Sequence, residues 1–384
     1  MFSFSKKAIS KLNLILDIKS SIVRGSLVLM IDNELPNIVW SNTIDVPYKA
    51  GSDSSYLLSE AVKAVGKVTT LAHTYILDKH IGIELPKKIS LIHIVLSSPW
   101  IISEARTVSR KFDIDTKIKR SFIQDIINEE RAKLIGESHE VMIGIEEKIC
   151  DVRLNGYSIQ CWEGNVAKNL EVSFALSLAS KTAIQNFKDA CVKSGLHGAR
   201  IDFHSSLLLQ HIGINSVLAL QEPYLLLHPH GELTDIVLAD NESCILFGSY
   251  PIGVRTIERN LMKSLKISES TADSMLSIYE DGHTDELHGS KDVESIQLAM
   301  KDWINCYKDI SKLIPENHKP VRCIVSSRNH EFLFKKLFGE NNPEIVTELL
   351  PRDKVFELVK IQPLVEKLRL TVFYIIAIQG LETL

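Results

Sequence analysis

The sequence predicts a two-lobed α/β protein, and three observations carry that reading. Strand-like stretches, a long helical pattern and a further strand open the chain. A second series of the same kind begins near residue 221. Between them, at about 103–182, a stretch of different character fits a compact α+β insert.

Taking the elements in order, "LNLILD" (12–17), "IVRGSLVLM" (22–30) and "NIVWSNTIDV" (37–46) are apolar runs separated by turn formers, which suits a β-meander. Leu57, Leu58, Ala61, Val62, Val65, Val68 and Leu71 then recur at helical spacing. "ISLIHIVLSSPW" (89–100) is a buried strand ending in a polar turn and a proline. In the insert, Ile118, Phe122, Ile123, Ile126 and Ile127 mark an amphipathic helix after the capping candidates Asp115 and Thr116. Two strands follow, "EVMIGIEEKICDVRL" and "NLEVSFALSLAS". "KTAIQNFKDACVKSGL" (181–196) is a helix with Ala183, Ile184, Phe187, Ala190 and Cys191 on one stripe and Gly195 as its left-handed cap.

The second series contains strands "YLLLHP" and "TDIVLAD", a tight turn "DNES" (240–243) and a return strand "CILFGSYPIG". Helical patterns run through 256–280 and 290–314. "RCIVSS" (322–327) is a buried strand, "NHEFLFKKLFGE" (329–340) a helix after an Asn cap, and 364–379 a last helix. The recurrence suggests internal duplication.

Composition removes several function classes. The chain has 384 residues, 45% of them hydrophobic and 24% charged, the mix of a globular protein. A formal net charge of −4 and the lack of a long basic block argue against nucleic-acid binding. The six cysteines form no C-x-x-C pair and read as reduced thiols of a cytosolic protein. "HPH" at 228–230 has no nearby acid or thiol to complete a metal set. "TVFYIIAIQGL" is too short to span a bilayer, which needs about 20 apolar residues. Trp100, Trp162 and Trp303 read as core anchors, and "YEDGHTDELHGSKD" (279–292) as a polar loop.

Four segments occur in a telling order: "LILDIKSSIVRG", "HGELTDIVLADNES", "PIGVRTIERNL" and "IVSSRNH". Together they resemble the actin-like ATPase superfamily, of ribonuclease H-like fold. Within it they resemble the group that holds the bacterial cell-division protein FtsA and the type IV pilus assembly protein PilM. The resemblance covers nearly the whole chain. It implies a first lobe at 1–102 and 183–220, a small α+β subdomain inserted in it at 103–182, a second lobe at 221–359, and a C-terminal helix at 360–384 returning to the first lobe.

The resemblance also implies a nucleotide cleft of three loops. Two hairpins must bring bare backbone to phosphate oxygens, which favours glycine, and aspartates must organise Mg²⁺. Asp17, Lys19, Ser20 and Ser21 fall on the first loop, with Lys19 where a glycine is usual. The family pattern D-I-G-G-G-T-T-D falls on His228 to Asp235, where only Gly231, Thr234 and Asp235 survive. Glu232 places a negative charge where phosphate belongs, a repulsion of about 4 kcal/mol at 4 Å and an effective dielectric near 20. In the third loop Ser326, Ser327 and Arg328 replace the glycines, and Arg328 is expected to fill the adenine slot.

The expectation is therefore a degenerate cleft with no catalytic residue and no metal ligand set. No cofactor is expected, with ATP and magnesium as the alternative, held by altered contacts through Lys19 and Arg328. The function implied is a cytoplasmic adaptor or scaffold at the inner face of the membrane, without ATP hydrolysis, in cell division or in pilus assembly. Its partners would be proteins: the cytoplasmic tail of a membrane protein, or further copies of itself in a filament. Any membrane association would run through such a partner. The sequence stops at "AIQGLETL", as PilM does, whereas the insert looks more FtsA-like; both stay open. The alternatives are an active ATPase, a kinase of the same superfamily with Asp235 as its base, and a plain structural subunit.

Overall fold

Near-continuous apolar runs form strands covered on both faces. β1 (Ser10–Ile18) and β2 (Ile22–Ile31) are of this kind, buried along most of their length. They pair antiparallel, and β3 (Asn37–Asp45) extends the meander on the far side of β2. The computed structural model describes residues 10–47, 53–78, 85–138, 140–240, 243–283, 287, 290–327, 329–351, 357–361 and 368–382. Among these residues there are three sheets and nine helices. They divide into two compact units, one of 1–100, 181–213 and 351–384, the other of 101–180 and 214–350.

In the first unit, β4 (Leu91–Leu96) runs parallel to β1, and β9 (Arg200–Ser205) parallel to β4. With the two-residue β15 (Lys360–Ile361) beside β3, the sheet order is β15-β3-β2-β1-β4-β9. α1 (Ser54–Leu77) packs on β2 and β3 through Ala61, Ala64, Val65, Val68 and Ala72. A methyl group on Gly25 of β2 would lie 3.0 Å from Val68 Cγ2, so this glycine sets the approach of helix to sheet. α3 (Lys181–Lys193) buries the stripe read from the sequence and packs against α1. Thr69 of α1 hydrogen-bonds Ser194 at 2.8 Å. Gly195 has φ +90°, the left-handed cap expected of it. Trp100 stacks edge-on against Phe187 at 5.6 Å, as a core anchor.

The second unit repeats the plan. β10 (Tyr224–His230), β11 (Leu233–Asp240) and β12 (Ser243–Tyr250) form an antiparallel meander. β13 (Arg322–Val325) lies parallel to β10, and β14 (Val346–Leu349) parallel to β13. The order β12-β11-β10-β13-β14 matches β3-β2-β1-β4-β9 in sequence and direction. The duplication suggested by the sequence is therefore present in topology. α5 (Val254–Leu265), α6 (Glu269–Glu280), α7 (Ser290–Ser311) and α8 (Glu331–Asn341) share one core with this sheet, centred on fully buried Trp303.

The segment Ile101–Ser180 interrupts the first unit in sequence but belongs by contact to the second. Its sheet runs β5-β8-β6-β7, from β5 (Ile101–Lys117), β6 (Met142–Leu154), β7 (Tyr157–Ser158) and β8 (Val166–Ser180). α2 (Arg120–Gly136) covers it with Ile123, Ile126 and Ile127. Trp162 packs against the same cluster. α4 (Ser206–Leu218) follows β9, and α9 (Arg369–Glu382) ends the described chain.

Several expectations need correction. β5 was not anticipated; Asp115 and Thr116 lie in it rather than capping a helix, and α2 starts at Arg120 after Lys119. The pattern at 256–280 is two helices, because Lys266 takes a left-handed φ of +57° and stops α5. The residue before α8 is His330, at φ +55°, in place of an Asn329 cap. Leu71 faces outward at 42% exposure, the contact side of α1 running through Ala72 instead. Asn241 and Glu242 of the "DNES" turn, and 362–367 ahead of α9, lie outside the described residues.

Two predictions follow from this packing. A methyl group on Gly213 would meet the Phe373 carbonyl oxygen at 2.5 Å, whereas on Gly66 it would meet nothing within 4 Å. Gly213→Ala should therefore cost about 1–3 kcal/mol, and Gly66→Ala, within α1, should add about 0.5–1 kcal/mol; urea midpoints compare them. His93 of β4 is 2% exposed, with Nδ1 3.2 Å from Nε2 of His204. Burial first, and then the His204 charge, push its pKa down to about 4. Between that value and the ordinary one near 6.5 the unfolded chain binds the extra proton, so stability rises with pH through this window. The linked contribution is about 3 kcal/mol, and it is lost as pH falls to 4. In His93→Gln the rise of unfolding free energy between pH 4 and 6.5 should shrink by about that amount.

Candidate functional site

The residues singled out in the sequence lie on two hairpins and one strand-to-helix loop. In the first unit, Asp17 sits near the end of β1, and Lys19, Ser20 and Ser21 make the turn into β2. The turn closes through Lys19 N–H donating to the Ile22 carbonyl at 3.0 Å. Trp100 Nε1–H donates to the Lys19 carbonyl at 3.2 Å, and Val46 N–H to that of Ser21 at 2.8 Å. Asp17 is 1% exposed and Lys19 4%. The Lys19 ammonium lies 3.6 Å from Asp17 Oδ2, and neither carboxylate oxygen accepts a hydrogen bond from a described residue.

In the second unit, β10 and β11 register His228 opposite Asp235, Pro229 opposite Thr234 and His230 opposite Leu233, so Gly231 and Glu232 form the turn. Pro229 lies beyond Leu227, the last residue of β10 paired with β13, so no ladder to β13 needs its missing N–H. His230 Nε2 donates to Asp235 Oδ2 at 3.0 Å, and both residues are buried. Thr234 donates to the Ile252 carbonyl at 2.7 Å and accepts from Trp303 Nε1 at 2.9 Å, which ties the hairpin to α7. Glu232 is held through both oxygens by Arg259 of α5, and Thr256 donates to its Oε2 at 3.2 Å. The charge expected to face phosphate is therefore neutralised, a correction to the repulsion argued from sequence. The turn also presses on the start of α5: a methyl group on Gly253 would sit 2.4 Å from the Gly231 carbonyl oxygen.

The third loop follows β13. Ser326 N–H donates to the Leu227 carbonyl at 2.8 Å, and the Ser326 carbonyl accepts from His228 Nδ1. Ser327 Oγ donates to the Pro229 carbonyl at 3.1 Å. Gly231, Thr234, Asp235, Ser326 and Ser327 thus share one end of the five-stranded sheet. Asp17, Lys19, Ser20 and Ser21 share a turn in the other unit, and Arg328 lies outside the described residues.

His330, one residue beyond Asn329, was missed by the sequence reading. It is buried and reaches α6 with both ring nitrogens, Nε2 to Asp273 Oδ1 at 3.0 Å and Nδ1 to Glu280 Oε2 at 3.1 Å. Burial alone would lower its pKa, but the hydrogen bonds and charges of Glu280 and Asp273 outweigh it, and the net shift is upward. Glu280 Oε1 accepts from the N–H groups of Phe332 and Leu333 at 2.7 and 3.1 Å, capping α8 as an acid at a helix start. The acids stand about fifty residues upstream of His330, so no local spacing announces the group.

The arrangement of both sheets agrees with known structures. No family model matches the chain, and no curated protein matches it in sequence. A chain of the PilM–PilN type IV pilus biogenesis complex superposes with a TM-score of 0.66 at 13% identity, over 96% of this chain and 98% of that one. The fold is actin-like. More distant matches include MreB 5 of Spiroplasma citri bound to AMPPNP (TM-score 0.45, 8% identity, 97% of each chain). Another is the ethanolamine utilization protein EutJ of Carboxydothermus hydrogenoformans (0.45, 9%, 96% of this chain and 89% of that one). At these identities the likeness concerns the actin-like fold alone. Among the described residues no helix is long and apolar enough to cross a membrane.

The Asp17–Lys19 pair supplies a direct check. Lys19→Met leaves a buried carboxylate without its counter-charge and should cost about 3–5 kcal/mol at pH 7. Adding Asp17→Asn should recover most of that loss in urea denaturation.

Proposed function

We propose that this actin-like chain is a protein-binding adaptor that neither hydrolyses ATP nor depends on it. One observation carries the proposal: the carboxylates a magnesium–triphosphate would need are engaged within their own unit. Asp17 faces Lys19 at 3.6 Å, and Asp235 accepts from His230 at 3.0 Å. Lys19 is correspondingly drawn to Asp17 instead of standing free to meet a phosphate. The second turn has one glycine, Gly231, beside Pro229, and the third loop is anchored through Ser327 and His330. These residues do not fit a magnesium–triphosphate, and no catalytic step is assigned to them.

An adaptor needs a partner. The solved neighbour with the TM-score of 0.66 is itself part of a complex with a second protein. The partner class we propose is the cytoplasmic tail of a membrane protein in a pilus or secretion assembly, which places the chain at the inner face of the cytoplasmic membrane. Service in cell division and assembly of this chain into filaments are the other outcomes to be tested.

A second reading, retained nucleotide binding, has one feature in its favour. Both Asp17 oxygens are buried with no hydrogen bond from the described residues, so a hydrated cation could still be drawn there. Thermal melts with millimolar ATP and Mg²⁺ decide between the two. The adaptor reading expects no shift, whereas occupancy at a hundredfold excess over Kd would stabilise by about 2.7 kcal/mol. Fluorescence titration with labelled cytoplasmic tails encoded near this chain should give saturable binding that ATP leaves unchanged.

A further inference from the structure

We propose that Glu258, Asp273 and His330 form a binding site for one divalent d-block cation of the zinc class, at the meeting of α5, α6 and α8. Each offers one ligand atom, and the three atoms lie within 4.8 Å of one another. A tetrahedral ion with bonds of about 2.0–2.1 Å needs ligand atoms about 3.3 Å apart, a closure that side-chain torsions can supply.

The second observation is Glu258 itself. It is 6% exposed, with its ligand oxygen in the cluster and the charges of His330 and Arg255 acting on it. Burial raises its pKa above the ordinary carboxylate value, against the opposing charges of His330 and Arg255. A cation between it and His330 would remove that cost.

The surroundings of His330 have the form of a metal ligand with its support. A ligating histidine commonly donates its other ring N–H to a carboxylate that fixes its orientation. Here Nδ1 donates to Glu280 at 3.1 Å, and Glu280 is itself fixed by the Phe332 and Leu333 N–H groups. Nε2 is left for the ion. In the metal-free chain Nε2 and Asp273 share a proton at 3.0 Å; the cation takes its place and that proton leaves to solvent. Asp273 is half exposed, which gives the ion an entry path. One nitrogen and two carboxylate oxygens favour zinc or cobalt over magnesium, and leave a fourth position for water.

The test uses the full chain stripped with chelator, titrated with Zn²⁺ by calorimetry and with Co²⁺ by visible absorption. Expected are one equivalent of zinc, a proton released per ion, and a cobalt band of tetrahedral intensity. Glu258→Gln and Asp273→Asn should each weaken zinc at least tenfold, and Glu280→Gln about 10–100-fold. Asp273 is exposed enough that its variant should fold, with circular dichroism as the check. No uptake at stoichiometric zinc would reduce the group to an ion-pair clamp and overturn the proposal. Uptake unchanged in both Glu258→Gln and Asp273→Asn would do the same.

Discussion

A carboxylate removed from water must be compensated by a positive charge or by donated hydrogen bonds. That constraint governs both halves of this molecule. Each meander carries a buried aspartate near its first hairpin, Asp17 in one sheet and Asp235 in the other. Each is answered locally, by Lys19 and by His230. In an actin-like nucleotide site the same compensation would come from outside, through a metal ion. Here a side chain of the same hairpin faces each carboxylate, Lys19 toward Asp17 and His230 toward Asp235.

The same logic reaches the neighbouring loops. Glu232 would repel an anion if left alone, but α5 delivers Arg259 to both its oxygens. The loop after β13 is held to α6 by His330, whose two nitrogens satisfy two acids. These contacts tie Glu232 and His330 to helices of their own unit.

Much of this was legible in the chain. The meanders could be read because β1, β2, β10 and β11 are apolar on both faces, and α3 because its stripe repeats cleanly. β5 escaped because it is half exposed: "IISEARTVSRKFDIDTK" alternates weakly, with few apolar residues on its buried side. The break between α5 and α6 was hidden because Lys266 takes a left-handed conformation more usual for glycine. At the site, the replaced glycines could be counted, yet partners could not. Glu232 and Arg259 are 27 residues apart and His330 and Asp273 are 57 apart, separations at which no periodicity links them. A sequence shows which charge is present; only the fold shows what answers it.

The insert has one more effect. β5, β6 and β8 lie against β12, the outer strand of the five-stranded sheet. A visiting peptide that sought to extend this sheet along β12 would meet the insert strands close by. The opposite margin is β14, four residues long and too short to template much pairing. Any guest of this half would therefore be read through side chains on helices and loops, its register set by its sequence and not by its backbone.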